Sequence, residues 1–203
     1  MKNINKKQKG FSLIETLIAV TILMIAIVGP LSLVQAGLFS SVHQRNQITA
    51  MYLAQEAIEF VKNIRDTNFY VHYNDSDYWL ARPNSSMTTV ESMVDWCGGS
   101  FGCYVDPHGK LGTSGTNNVF VKKIDSAVYQ NLKQIVIGGV FEYSYDSSSA
   151  SVLSPYRRVV KITPITVNGT TDEAKVTVIM TWTDNGISRN YTVSENIYNY
   201  EQE

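Results

Sequence analysis

Residues 11–39 read FSLIETLIAVTILMIAIVGPLSLVQAGLF, an almost continuously apolar stretch broken by one charge, Glu15. As a helix, these 29 residues extend roughly 43 Å at about 1.5 Å per residue, more than the roughly 30 Å of a bilayer core. Composition alone therefore equips the segment to cross a membrane. On its N-terminal side, residues 1–10 hold Lys2, Lys6, Lys7 and Lys9 and no acid. From Thr16 to Val42 there is no charged residue at all. By the positive-inside rule the lysines keep the N-terminus in the cytoplasm, and the remainder is exported.

Charge over the rest of the chain narrows the function classes. The 203 residues carry 17 basic and 18 acidic side chains, a formal net of −1. Beyond residue 10 the balance is 13 basic against 18 acidic, a net of −5. An acidic exported part disfavours broad, charge-driven contact with nucleic acid, though Lys122, Lys123, Arg157, Arg158 and Lys161 offer a local basic patch. With 44% apolar and 17% charged residues, the chain has the composition of a folded protein.

Two plain readings of the N-terminus are a signal anchor and a cleaved secretory signal ending near Val34-Gln35-Ala36. The apolar region is longer than the roughly 7–15 residues of a secretory signal. Neither reading explains Glu15. An ionised carboxylate in hydrocarbon costs at least a few kcal/mol, so it is rarely present without a partner or a role. Glu15 stands five residues after Gly10. A cut after Gly10 would leave a cationic amine on Phe11, able to pair with Glu15 of the same or a neighbouring subunit in a low-dielectric site.

The run KKQKG-FSLIETLIAVTIL, residues 6–23, resembles the cleavage and methylation signature of type IV prepilins and type II secretion pseudopilins. The shared features are the basic leader, Gly10, aromatic Phe11, and Glu15 followed by Thr16-Leu17. The resemblance implies cleavage between Gly10 and Phe11 by a prepilin peptidase on the cytoplasmic face, then N-methylation of Phe11. It also implies assembly through Glu15 with other pilin or pseudopilin subunits. The chain would be a single-pass protein of the bacterial cytoplasmic membrane before assembly and part of an extracytoplasmic fibre afterwards. Pilins commonly carry a proline in this part of the first helix, and Gly29-Pro30 removes a backbone hydrogen bond and predicts a kink.

After Phe39 the sequence turns polar but stays helical to about Asp66. Ile48, Met51, Ala54, Ile58, Val61 and Ile64 recur at spacings of three and four, and Leu53, Ala57 and Phe60 widen the stripe. Glu59 and Lys62 form an i,i+3 pair. Glu56, Glu59 and Arg65 read as solvated or subunit-contact charges. MYLAQEAIEFVKNIRDTNF, residues 51–69, resembles the second half of the first helix in PilV-type minor pilins.

Residues 67–118 read as a loop-rich connection. Asn74, Asp75 and Asp77 have the oxygens for a calcium ion but lack EF-hand spacing, and such clusters are commonly turns; no metal is assigned. Cys97 and Cys103, the chain's two cysteines, enclose a glycine-rich loop and are either a disulfide or two free thiols. Zinc would need more ligands than the scattered His43, His72 and His108 supply.

From about Val119 the period changes to two. Gln134–Tyr145, Arg157–Val167, Ala174–Thr183 and Ile187–Ile197 read as strands of an antiparallel sheet, with Asp184-Asn185-Gly186 as a tight hairpin. Val176, Val178, Met180 and Trp182 give the sheet an apolar face, and the amphipathic helix is its natural cover. The expected class is α+β: a long N-terminal helix, transmembrane then amphipathic, packed on a C-terminal antiparallel sheet, as in pilins. The expected divisions are a leader at 1–10, a membrane and fibre-core half-helix at 11–39, an amphipathic half at 40–66, the connection at 67–118 and a sheet domain at 119–203. No nucleophile elbow, phosphate loop, zinc motif or dinucleotide fingerprint occurs, so no catalytic residue and no cofactor is assigned. The expected role is a non-catalytic fibre subunit. A fibre-tip module binding DNA or a surface ligand, and a plain signal-anchored domain, are the alternatives.

Overall fold

The computed structural model describes residues 10, 12–71, 79–83, 91–109, 111, 119–145, 151–167 and 169–199. The leader lysines, Phe11, His72 and the Asn74–Asp77 cluster lie outside the described residues. Helix α1 spans Leu13–Val71, five residues past the expected end. The chain divides into two compact units, Met1–Arg45 and Asn46–Glu203.

In the first unit every described side chain up to Val42 is exposed. The helix is long and apolar enough to cross a membrane. Three of its hydroxyls are spent on its own backbone: Thr16 donates to the Leu13 carbonyl, Thr21 to Ile18 and Ser32 to Gly29, at 2.7–2.8 Å. That removes the cost of placing hydroxyls in hydrocarbon. The helix continues through Pro30, whose nitrogen has no hydrogen to give the preceding turn.

In the second unit α1 covers a five-stranded antiparallel sheet of order β2-β1-β6-β7-β8. Its strands are β1 Cys103–Val105, β2 Val121–Lys123, β6 Arg157–Val167, β7 Thr170–Asp184 and β8 Ile187–Tyr198. A smaller sheet of order β4-β3-β5 is built from β3 Lys133–Ile137, β4 Val140–Ser144 and β5 Val152–Leu153. The helix buries Ala50, Leu53, Ala54, Ala57, Ile58, Val61 and Ile64 against alternate residues of the large sheet, among them Val160, Ile162, Val176, Val178, Met180 and Ile197. Three alanines on that helical face let the backbone approach the sheet closely. Ile48 and Met51, expected on this stripe, are exposed instead. Ile48 lies two residues from Ala50, about 200° around the helix, so it cannot share Ala50's face.

Two parts of the sheet differ from expectation. Gln134–Tyr145 is a hairpin, β3 and β4, folded at Gly138 and Gly139 with φ of 59° and 86°. Two consecutive left-handed residues suit glycine and close a two-residue turn. The stretch 67–118 supplies β1, wholly buried between β2 and β6. It also supplies the short helix α2, Met93–Cys97, whose first turn is capped by the Ser92 hydroxyl accepting from Val94 N–H at 3.1 Å.

Cys97 at the end of α2 and Cys103 at the start of β1 are joined as a disulfide, and both are fully buried. The loop they close is short, so the unfolded chain loses only modest entropy. Replacing both by serine is expected to lower stability by about 2 kcal/mol, read as a shifted midpoint in guanidinium unfolding under non-reducing conditions. Gly102 completes the loop at φ 75°, where a Cβ would lie 2.5 Å from the Val160 carbonyl oxygen. Alanine there is expected to strain the β1–β6 junction and lower the same midpoint.

Candidate functional site

The N-terminal residues form the first candidate site. Gly10 is exposed, and a Cβ built on it would meet nothing within 4 Å. Nothing in the described chain therefore demands glycine at this position; a demand for a small residue has to come from a partner. The helix opens three residues later at Leu13, with the Ser12 carbonyl accepting from Glu15 N–H at 3.0 Å and Thr16 N–H at 3.2 Å. Glu15 sits in this first turn, where a negative charge suits the helix dipole. Around it Leu13, Ile14, Leu17 and Ile18 are all exposed. Among the described residues Glu15 has no ion-pair partner. The arrangement is a lone carboxylate on an uncovered apolar helix. Phe11 lies between these residues and outside the description.

The second charged cluster sits in the C-terminal unit and holds its layers together. Arg158 is fully buried. Its Nη1 donates to the Leu53 carbonyl at 2.9 Å and to the Glu56 carboxylate, and its Nη2 donates to the Val105 carbonyl at 2.8 Å. One guanidinium thus ties α1, β1 and β6. The Tyr145 hydroxyl donates to the Arg158 carbonyl at 2.9 Å, and burial pushes its pKa far above the usual phenol value, so it stays a donor. Asp106, also fully buried, accepts from the Ser144 hydroxyl at 2.7 Å, from Tyr145 N–H at 3.1 Å and from His108 N–H at 3.1 Å. Lys62 bridges Glu195 of β8 at 2.7 Å and Glu59 at 3.2 Å. Chiefly through its hydrogen bond to Glu195, the Lys62 pKa is raised. That small contribution is complete at neutral pH and fades only in alkali, as the pH rises through the raised value.

These contacts correct the sequence reading. Glu56 is not a free surface charge: it is the counter-ion of a buried arginine. Arg65 is itself buried and pairs with Asp66 at 2.7 Å. Arg158 leaves the basic patch because β6 alternates, sending Arg158, Val160 and Ile162 inward. Of the other patch residues, Arg157 donates to Asn131 at 2.6 Å and Lys161 to the Ser100 carbonyl at 2.8 Å. Asp106 was not singled out from sequence, although Asp106-Pro107-His108-Gly109 has the composition of a type I turn, which the Gly109 N–H closes on the Asp106 carbonyl at 3.0 Å.

Several aromatic residues serve packing, while Tyr52, Tyr70, Phe141 and Tyr198 are exposed. Trp79 and Trp182 are buried, and Trp96 stacks beneath the Arg82 guanidinium at 4.1 Å. A surface cleft of about 470 Å³ is lined by Asn131, Arg157, Trp182 and Ser188 among others, with Arg157 its one charged side chain. It contains no acid–base pair. Among the described residues no three metal-ligating side chains come together.

Comparison with known proteins bears on the N-terminus alone. Residues 5–29 match the family described as the prokaryotic N-terminal methylation motif, the prepilin-type signature. The matched residues include Gly10, Phe11 and Glu15 and stop at Gly29, one residue before Pro30. No curated protein and no solved structure matches the chain.

Proposed function

We propose that this chain, whose first residues carry the signature of a type IV pilin-like precursor, is a non-catalytic fibre subunit: a PilV-like minor pilin or pseudopilin. Prepilin peptidase hydrolyses the Gly10–Phe11 bond, and the new amine of Phe11 is methylated. Before assembly the apolar half of α1 sits in the cytoplasmic membrane with the leader on the cytoplasmic side. On assembly, contacts with lipid are exchanged for contacts with neighbouring helices. Pro30 gives this half-helix a point at which to bend. Glu15 sets the register by pairing with the Phe11 amine of a neighbour, which offsets the cost of a carboxylate in an apolar surround.

The observation that carries this reading is Glu15: one acid, five residues past Gly10 and inside the matched residues, on an otherwise uncovered apolar helix. The test is mass spectrometry of the protein isolated from its native cells. The expected N-terminal peptide begins at methylated Phe11. A chain that begins at Met1, or is cut near Ala36, would overturn the reading. A companion variant addresses the cut itself. Because Gly10 has open space around it, Gly10→Val leaves this chain's own fold undisturbed and is expected to accumulate at full length on a gel. Processing of that variant at the normal rate would show that the cut lies elsewhere.

A further inference from the structure

Among the described residues no strand pairs with the outer edge of β8. The strand is 12 residues long, contains no proline and pairs with β7 without a register shift. Edge strands are usually shortened, bulged or studded with charge, because their unpaired N–H and C=O groups template a further strand. Along β8 the charges are Arg189 and Glu195, of opposite sign.

The pairing with β7 fixes which groups face outward. The turn at Asn185-Gly186 makes Asp184 and Ile187 the first pair, and beyond the far end Asn199 N–H donates to the Asp172 carbonyl at 2.7 Å. Bonded residues alternate in an antiparallel ladder. The odd-numbered residues therefore bond β7, while Ser188, Asn190, Thr192, Ser194 and Asn196 turn their backbone groups outward. All five of these residues are exposed.

Laid antiparallel against itself about Thr192, β8 is complementary. Arg189 meets Glu195, Tyr191 meets Val193, Asn190 meets Ser194, Ile187 meets Ile197, and Thr192 meets its own copy. Opposite charges, aromatic with β-branched, and paired hydroxyls are the favoured cross-strand neighbours. The register also sets these five outward-facing residues opposite one another, so the ladder closes over Ser188–Asn196. The nearest registers that keep this property place Arg189 against Val193 or Ile197, and Glu195 against Ile187 or Tyr191, leaving both charges facing apolar side chains.

We propose that the edge of β8 docks on β8 of a second copy of this chain, as a two-fold continuation of the sheet. The two-fold stands normal to the sheet, so the stretch of helix lying on the sheet runs the opposite way in the partner. Subunits joined in this way have opposite polarity. If the fibre reading holds, the contact is therefore lateral, between fibres, and not between neighbours within one.

The test uses the full chain purified in detergent with Thr192→Cys. Cys97 and Cys103 are already bonded to each other, so the new thiol is free to report. Opposed residues of a hydrogen-bonded pair stand about 5.5 Å apart between Cα atoms, within disulfide reach. Oxidation is expected to convert most of the protein to a covalent dimer. Thr177→Cys, one strand inward on the same face, is expected to give less than a tenth of that yield. Adding Arg189→Glu to Thr192→Cys should cut the yield at least tenfold, and adding Glu195→Arg as well should restore it. Because Glu195 also holds Lys62, Thr192→Pro serves as an independent variant: it removes an outward donor, leaves the bonds to β7 intact, and should abolish the dimer by light scattering with an unchanged circular dichroism spectrum. Failure of Thr192→Cys to cross-link, equal yields from the two cysteines, or a dimer indifferent to Arg189→Glu or Thr192→Pro each overturns the proposal. Fibres play no part in the assay, so its failure leaves the fibre reading standing, and loss of the fibre reading leaves the pairing.

Discussion

Glu15→Val is expected to give chains that are shortened normally and yet are missing from fibres. The substitution changes one exposed side chain in the first turn of α1. It makes the helix more apolar, so insertion in the membrane becomes easier, and the core of the C-terminal unit begins only at Ala50. On the proposed reading, what is lost is the charge that pairs with a neighbour's Phe11 amine. Immunoblots of whole cells and of the sheared fibre fraction separate the two effects: the cell-associated chain should have wild-type mobility and amount, and the fibre fraction should fall at least tenfold. Glu15→Gln refines the test. It keeps the shape and hydrogen-bonding capacity but not the charge, so it should behave like valine if ion pairing sets the register. Wild-type incorporation of the valine variant would remove Glu15 from the assembly mechanism.

Glu56→Ala should cost the C-terminal unit about 3 kcal/mol, because it leaves the fully buried Arg158 without its counter-ion. The guanidinium would keep the Leu53 and Val105 carbonyls, but two neutral acceptors do not neutralise a charge taken out of water. The paired replacement separates the loss of an interaction from the stranding of a charge. Arg158→Met on its own should also destabilise, since it frees a carboxylate and two carbonyls at once. Combining it with Glu56→Ala should recover much of the loss, because neither an uncompensated buried guanidinium nor a stranded carboxylate is then left. Thermal unfolding gives the readout, with a fall of roughly 6–12 °C for Glu56→Ala in a unit of this size. A double variant as unstable as the sum of the singles would mean that the two residues act independently, contrary to their contact.

What the sequence made legible follows from where its signals are local. The apolar run and its lone acid are properties of adjacent residues, so the membrane-capable helix and Glu15 are readable without tertiary information. The hairpin at Asn185-Gly186 was equally plain, because φ of 50° and 79° at its two central positions is what an Asn-Gly turn requires. The Gly138-Gly139 turn carries the same kind of signal, but the apolar residues on both sides of it make the stretch read as one strand. The Arg158 network was illegible for a different reason. Glu56 and Arg158 are 102 residues apart, and no local pattern distinguishes a buried arginine from a surface one until β6 is placed under α1. Strand β1 escaped because three residues are too few to show a period.

The position of the first buried side chain has a thermodynamic consequence. Among the described residues every member of the hydrophobic core lies between Ala50 and Ile197, and no side chain before Ala50 is buried. The apolar burial that stabilises the C-terminal unit is therefore drawn, among the described residues, from outside the membrane-capable stretch. One helix thus carries two phase preferences: its first half exposes apolar side chains that suit hydrocarbon, and its second half buries an apolar stripe against the sheet.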